Sequence, residues 1–436
     1  MCYYKTLCIH ILKKSIPVSL MLFLQPALNA QPVKALTLAD LYAMAKVNYP
    51  LIRQKDLLSK SSGYTVENLA RGYLPVFSLN AQSTYQSAVT SFPFKIPIPG
   101  FTLPNYSKDQ YKINGEIDQL LYDGGLIKTG KKQAAVNDSI SEQNVEVAIY
   151  PLADRITQLF FGVILLDEQL NSNKIVNADI QNGIDRTSAL LANGQAFKSN
   201  LDILKAQQLQ TMQSSLELGS ARRSSMEMIG LFINRTLEPA ARLELPAEPI
   251  LNQDVNRPEL LLYNYQIKAY DLQDHFLEAQ IRPKVSLFVQ GGYGRPGLNM
   301  LSNNFDWYYL GGIRLNWNLG NLYTLKNQKQ INALNRKIVD AEKQTFLFNV
   351  SLSNIQQTED ISKSRKLILI DDSIISLRRS VKMAALAQLE NGVITARDYI
   401  TEVNAEDQAR SLYILHKIQL LLAQYNYLVS TGNLIK

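Results

Sequence analysis

Two short clusters carry residue types that could hold an ion. Asp271, Asp274, His275 and Glu278 fall at helical spacing, which would gather three carboxylates and an imidazole around a divalent metal. The same spacing describes a solvated helix face, which is the simpler account. His275 and His416 are the only histidines past residue 30, and they are far apart, so neither a zinc motif nor a Ser-His-Asp order can be assembled. Gly291-Gly292-Tyr293-Gly294 has the glycines of a phosphate loop, but no Lys-Ser/Thr follows and no helix pattern starts there. A strand end fits it better. Met212, Met226 and Met228 are spaced too loosely for a copper site and suit ordinary packing. The expectation is a protein that is not an enzyme and needs no cofactor.

Residues 1–30 read as a secretory signal, with Lys5, Lys13 and Lys14 in a basic front, an apolar run from Ile16 to Leu24, and small residues ending at Ala30. That run is too short to span a bilayer. Cys2 and Cys8 are the only cysteines and both fall in this segment, so thiol chemistry and disulfides are not expected beyond it. Removing the three lysines lowers a formal charge that is only +7 for 436 residues. No basic tract or stacking pattern points to nucleic acid. No uninterrupted apolar run approaches a membrane helix, so any insertion must be by β-strands.

The strand signal is clearest from Phe305 to Leu319. Odd positions are Phe305, Trp307, Tyr309, Gly311, Ile313, Leu315, Trp317 and Leu319, while even ones include Asp306, Arg314, Asn316 and Asn318. At about 3.3 Å per residue and a tilt near ~40°, Trp307 and Trp317 would sit roughly 25 Å apart, the spacing of two membrane aromatic belts. Tyr309, Tyr85 and Tyr111 are the other belt candidates. After Gly320 the period changes: Ile331, Leu334, Ile338, Ala341, Thr345, Phe348, Leu352 and Ile355 step as a coiled-coil seam.

The chain reads twice. Asn48-Tyr49-Pro50 returns as Asn256-Arg257-Pro258, Leu74 to Leu79 returns as Arg282 to Leu287, and Asn193-Gly194 returns as Asn391-Gly392. The first repeat, 31–235, opens with a helix broken at Pro50. Strands follow at about 74–89 and 109–122, then long helices at about 125–193 and 199–234. In the second strand Tyr111, Ile113, Gly115, Ile117 and Leu121 oppose Lys112, Asn114, Glu116 and Asp118, charges that suit a water-filled lumen better than a core. A loop from 90 to 107 with four prolines joins the strands. In the long helix Ile149, Leu152, Ile156, Leu159, Val163, Leu166 and Leu170 form a seam, and Pro151 predicts a kink or short break. A linker, 236–255, leads to the second repeat, 256–436, with strands at about 283–293 and 305–319 and long helices at about 322–390 and 396–429.

Four such strands cannot enclose an aqueous pore, since single-chain barrels begin at about eight strands. Several copies must pool them, and three copies, giving twelve strands, leave room for a lumen. The fold expected is a mainly α, α+β membrane protein: a duplicated helix–hairpin–long helix pair whose trimer forms a twelve-stranded β-barrel continued by a long α-helical barrel.

The order of these elements, together with the Asn-x-Pro and Leu74-Pro75-Val76-Phe77-Ser78-Leu79 stretches, Leu121-Tyr122-Asp123-Gly124-Gly125, and Asn391 to Asp398, resembles the TolC-like outer-membrane efflux factor family over essentially the whole chain past residue 30. The resemblance implies a homotrimer in outer-membrane lipid that gives passive exit to substrates delivered by an inner-membrane transporter and a periplasmic adaptor. It implies that the turns around Asn193-Gly194 and Asn391-Gly392 form the periplasmic tip that meets the adaptor. It also implies that Asp398 lies near the aperture, with Asp202 as its first-repeat counterpart and Arg397 as a pairing partner that holds the tip closed. Gly194 to Asp202 is longer than Gly392 to Asp398, so the first tip departs from the family spacing. The reading from a different class is a soluble periplasmic coiled-coil adaptor or scaffold. Nothing in the sequence chooses among drugs, metals and proteins as cargo.

Overall fold

Pro50 cannot continue the helix that begins at Leu38, and the chain passes through one 3-10 turn there before helix resumes. The structure, a computed structural model, describes residues 35–89, 107–238 and 241–434. The signal segment and nearly all of the proline-bearing loop lie outside the described residues. The first repeat contains α1 (Leu38–Asn48), α2 (Arg53–Arg71), β1 (Val76–Tyr85), β2 (Asp109–Tyr122), α3 (Leu126–Ile149), α4 (Leu152–Ala192) and α5 (Lys198–Ile233). The second contains α6 (Pro258–Gln280), β3 (Lys284–Arg295), β4 (Asp306–Asn316), α7 (Leu322–Glu390) and α8 (Ala396–Thr431).

The two hairpins join through β2 and β3 into one antiparallel sheet of order β1-β2-β3-β4. Its outer strands, β1 and β4, each have a free edge. Register sorts the side chains by parity: Phe77 opposes Ile117, Ile113 opposes Tyr293, and Leu287 opposes Ile313 on one face. Asn80 opposes Asn114, Glu116 opposes Gln290, and Ser286 opposes Arg314 on the other. Two corrections to the sequence reading follow. A bulge at Leu120–Tyr122 pairs Tyr122, not Leu121, with Val285, so Tyr122 moves onto the apolar face. β4 stops at Asn316 because the Asn318 side chain takes the Gly320 amide (3.1 Å) and turns the chain toward α7, which leaves Trp317 just beyond the ladder.

Each strand leads from or into a helix, and the helices keep the order of the sheet. Next to the sheet the sequence of neighbours is α2, α3, α6, α7; farther away it is α5, α4, α8, α7. α7 runs through both levels as one helix of 69 residues, about 100 Å at 1.5 Å per residue. Its counterpart in the first repeat is interrupted at Pro151, where the chain keeps right-handed helical angles but lacks one N–H. Tyr150 supplies part of the loss by donating to Glu146 (3.0 Å) and Val147 (3.3 Å). The seam from Ile149 to Leu170 is apolar enough over eighteen residues to pass as a membrane span by composition, but half of that window is buried inside the protomer. Phe160, Phe161 and Ile156 pack there against Leu41, Ile229, Ile418 and Leu421. The seam of α7 is treated differently. Ile331, Leu334, Ile338, Phe348, Leu352 and Ile355 are all exposed, so the stripe that reads as a coiled-coil contact has no partner among the described residues of one chain.

A belt of polar contacts surrounds Pro151. Tyr150 donates to the Val429 carbonyl at 2.5 Å, and the Arg257 guanidinium sits 4.0 Å above the Tyr150 ring. Burial pushes the Tyr150 phenol up to about 12, even with Arg257 beside it. Asn256 reaches Asn433 (2.7 Å), and its amide donates to Thr431 (2.6 Å) as α8 ends. Gly432 closes that end with φ +83, and a Cβ there would lie 2.5 Å from the Asn256 carbonyl group. Gly432→Ala should therefore cost ~2 kcal/mol or more. Gly63→Ala, in open space on α2, should be neutral or stabilising by up to ~1 kcal/mol. Thermal melting followed by far-ultraviolet circular dichroism separates the two outcomes.

Candidate functional site

The even-numbered face of the sheet is its wet side, and one arginine organises it. Arg314 on β4 reaches across β3 to Glu116 (2.9 Å) and Asp118 (3.1 Å) on β2, while Ser286 donates to Asp118 at 3.1 Å. Its guanidinium passes 4.4 Å from the centre of the Phe288 ring. Three strands are thus tied together by groups that a lipid face would not tolerate.

Four of the proposed belt residues, Tyr85, Tyr111, Trp307 and Tyr309, fall toward the loop end of the sheet on the odd-numbered face. Tyr293 and Phe305, neither of which was among the belt candidates, complete that group: Tyr293 stacks on Phe305 (5.5 Å) and meets Trp307 (5.1 Å). Arg295 pairs with Asp109 and lies over Tyr111 and Phe305. Trp317 belongs to the opposite end, where its indole N–H donates to the Ile281 carbonyl at 2.8 Å. At that end Asp123 converts strand into helix. Its carboxylate accepts the amides of Gly125 (2.8 Å) and Ile127 (2.6 Å), with Gly124 and Gly125 at positive φ. That is the physical content of Leu121-Tyr122-Asp123-Gly124-Gly125.

Both helical tips close with the same motif. Gly194 (φ +71) donates to Leu191 and Gln195 to Leu190; Gly392 (φ +66) donates to Leu389 and Val393 to Gln388. The next helix begins three residues after the cap glycine's neighbour in each case, with N-caps at Phe197 and Thr395. The two turns are therefore equal in length, and the longer spacing from Gly194 to Asp202 arises within α5. Asp398 occupies the third helical position and forms a capping box with Thr395; the matching residue of the first tip is Asn200, and Asp202 lies further into α5. Hydrogen bonds from the Thr395 hydroxyl and amide hold the exposed Asp398 carboxyl below its ordinary range, with Arg397 adding to the effect. Phe197, by contrast, supplies no side-chain cap and is 80% exposed.

Behind the tips lies a buried charge cluster that the sequence did not reveal. Lys382 on α7 bridges Asp179 of α4 (2.7 Å) and Glu406 of α8 (2.5 Å), and Arg410 also meets Glu406 (2.5 Å). Tyr399 donates to the Asp179 carbonyl (3.1 Å), and burial pushes its phenol up to about 12. Arg186 and Glu390 pair nearer the turn. The acids around His275 serve another joint: Asp271 and Asp274 accept from Arg336 of α7 (3.0 and 2.9 Å), and Glu278 pairs with Lys329 (2.6 Å). Among the described residues no group of three or more such side chains is placed to hold a metal ion.

No protein-family model and no curated protein sequence matches the chain. Solved structures do. The outer membrane protein VceC of Vibrio cholerae aligns over 91% of this chain and 96% of its own at 14% identity, with a TM-score of 0.62. CusC, described in terms of transmembrane channel formation, aligns over 90% of this chain and 91% of its own at 12% identity and a TM-score of 0.65. The open state of the MtrE outer membrane channel of Neisseria gonorrhoeae covers 91% and 89% at 14% identity and a TM-score of 0.62. The chain has the fold of outer-membrane channel proteins, the fold its sequence resembles.

The Lys382 cluster has a measurable sign. Burial pushes the Glu406 carboxyl up, but Lys382 and Arg410 outweigh it and set the group below the ordinary carboxylate range. A depressed acid contributes stability in full above its unfolded pKa and loses it as pH falls through the folded value, so the contribution should begin to fall once pH drops below the ordinary glutamate range. Lys382→Met should cost about 3 kcal/mol at neutral pH by leaving Asp179 without its cation and the buried Glu406 with Arg410 alone. That loss should shrink on acidification as the carboxylates protonate, which melting curves of both proteins at neutral and mildly acid pH will show.

Proposed function

We propose that this chain is an outer-membrane exit duct, in which three copies pool their sheets into a twelve-stranded barrel and their helices into a periplasmic tunnel. The observation that carries the reading is the four-stranded sheet itself, apolar and aromatic on one face, charged on the other, and unpaired at both edges. In lipid, an unpaired strand edge leaves backbone donors and acceptors with no partner, so such a sheet must close on copies of itself. The bare seam of α7 asks for the same neighbour. At the other margin of the layer Leu57 and Tyr64 on α2 and Leu209, Met212 and Leu216 on α5 are also exposed, which provides the complementary apolar surface for a head-to-tail ring.

In this reading transport is passive, and direction comes from a periplasmic adaptor and an inner-membrane transporter that meet the tips at Asn193-Gly194 and Asn391-Gly392. Asp398 narrows the aperture with its three copies, and Arg397, which is exposed and next to it, is the cation available to pair across the tip. Asp202 has no such place. A soluble coiled-coil scaffold would bury its strands against its helices, whereas Trp307 and Tyr309 are each more than four-fifths exposed here.

Outer-membrane extracts should contain a trimer that resists SDS until heated. Ile338→Glu, on the bare seam, should abolish that trimer while leaving the helical dichroism of the monomer intact; a soluble periplasmic protein with no heat-dependent band would refute the duct. In planar bilayers Asp398→Ala should raise single-channel conductance, and an unchanged value would remove this acid from the aperture.

A further inference from the structure

A recess of about 570 Å³ opens where the sheet passes into the helices. Its floor is apolar, formed by Leu69 of α2, Leu126 and Ile127 of α3, and Phe276 of α6. Its rim is polar: the carboxamides of Gln280, Asn316 and Asn318, and two cations, Arg282 and Lys284. No carboxylate lines it, and neither cation has an ion-pair partner among the described residues. The volume lies within the range of small-molecule sites, about 300–1,000 Å³. A second recess of about 350 Å³ shares Leu69, Gly130 and Phe276 with the first and runs away from the sheet between α2 and α6, where Ser61, Thr65, Gln133 and Asp138 make its walls more polar. Register fixes the side on which the cations meet the sheet: Lys284 opposes Asn316 and shares the parity of Ser286 and Arg314, the wet face.

We infer that this recess is a binding site for an amphiphilic anion, with the acidic head held by Arg282 and Lys284 and the apolar body laid along Leu69, Ile127 and Phe276. The inference rests on the duct reading for its side, since only there does the wet face line a path for solutes. Two uncompensated cations above an apolar floor favour an anion over a cation of equal length, and the carboxamides can hydrogen-bond the head without competing in charge. Lys284 is exposed and holds no other group in place. Arg282 makes one long contact, 3.4 Å to the Gly124 carbonyl.

Trp317 lies between Asn316 and Asn318 and provides a reporter, because Trp307 is the only other tryptophan. A Trp307→Phe protein in phosphatidylcholine nanodiscs should show a saturable change in emission with decanesulfonate and none with decyltrimethylammonium. Lys284→Gln should weaken the sulfonate at least about tenfold, the loss expected for one charge-assisted contact, and Arg282→Gln should act in the same direction. Equal responses to the two amphiphiles, or unchanged binding in Lys284→Gln, would overturn the site. Loss of the sulfonate response on adding phosphatidylglycerol would uphold the amphiphilic-anion site and name membrane lipid as its source, whereas a retained response would name a solute of the lumen. Conductance of the same protein in planar bilayers is the independent control: pores without sulfonate binding reject the site alone, and absence of pores rejects the duct.

Discussion

The constraint on which the rest of this structure depends is that the backbone polar groups of a strand edge must find partners, a demand that water can meet and hydrocarbon cannot. A sheet that stops at β1 on one side and β4 on the other meets that demand only at its three internal junctions. The side chains are arranged as though the demand were met. Apolar residues cover most of the odd-numbered face, where Arg295 pairs with Asp109 only at the loop end, and the Arg314 cluster holds the other face together across three strands. Neither arrangement makes sense for a sheet packed against its own helices, where one face at least would be dry. The same incompleteness extends down the helices. α4 buries its seam under α1, α5 and α8, while the corresponding stripe of α7 stays in solvent. One repeat supplies the interior of the protomer, and the other supplies its margin.

Duplication does not produce two equal halves. The tips share a turn motif and a length, yet one begins its outgoing helix with Thr395 and Asp398 in a closed capping box and the other with Phe197 and no cap. The charged cluster at Lys382 draws Asp179 from α4 and both Glu406 and Arg410 from α8, and has no first-repeat equivalent among the described ion pairs. A core of Tyr399, Ile180, Leu204 and Val403 surrounds it, so the tips are held by both packing and charge. What distinguishes the repeats is concentrated at and just behind the helical tips.

Much of this was legible in order along the chain, and the reason is periodicity. Strict alternation from Trp307 to Leu315 and the three-four stepping on either side of Pro151 follow from backbone geometry, so they survive without knowledge of neighbours. The misses have local or long-range causes. The bulge at Leu120–Tyr122 adds one residue to one strand and leaves no mark in composition, so Leu121 was assigned the face that Tyr122 occupies. Asp202 was matched to Asp398 by residue type, whereas counting from the cap glycine leads to Asn200. The Lys382–Asp179 pair joins residues 203 apart, and no spacing rule reaches that far. The aromatic group at the loop end was half seen: Phe305, Trp307 and Tyr111 stood out by alternation, whereas Tyr293 lies on another strand and joins them only through cross-strand pairing and stacking.

Pro151 has a mechanical consequence. The protomer has two rods of similar reach, one continuous through α7 and one jointed between α3 and α4. A rod missing one internal hydrogen bond yields first under lateral load, so flexing concentrates at a single level of the molecule. At that level the Tyr150 hydroxyl, the Arg257 side chain and the end of α8 grip the joint from three directions. Any sway of the first-repeat arm is thereby passed to the chain terminus and to the start of α6, while α7 behaves as the fixed mast against which it moves.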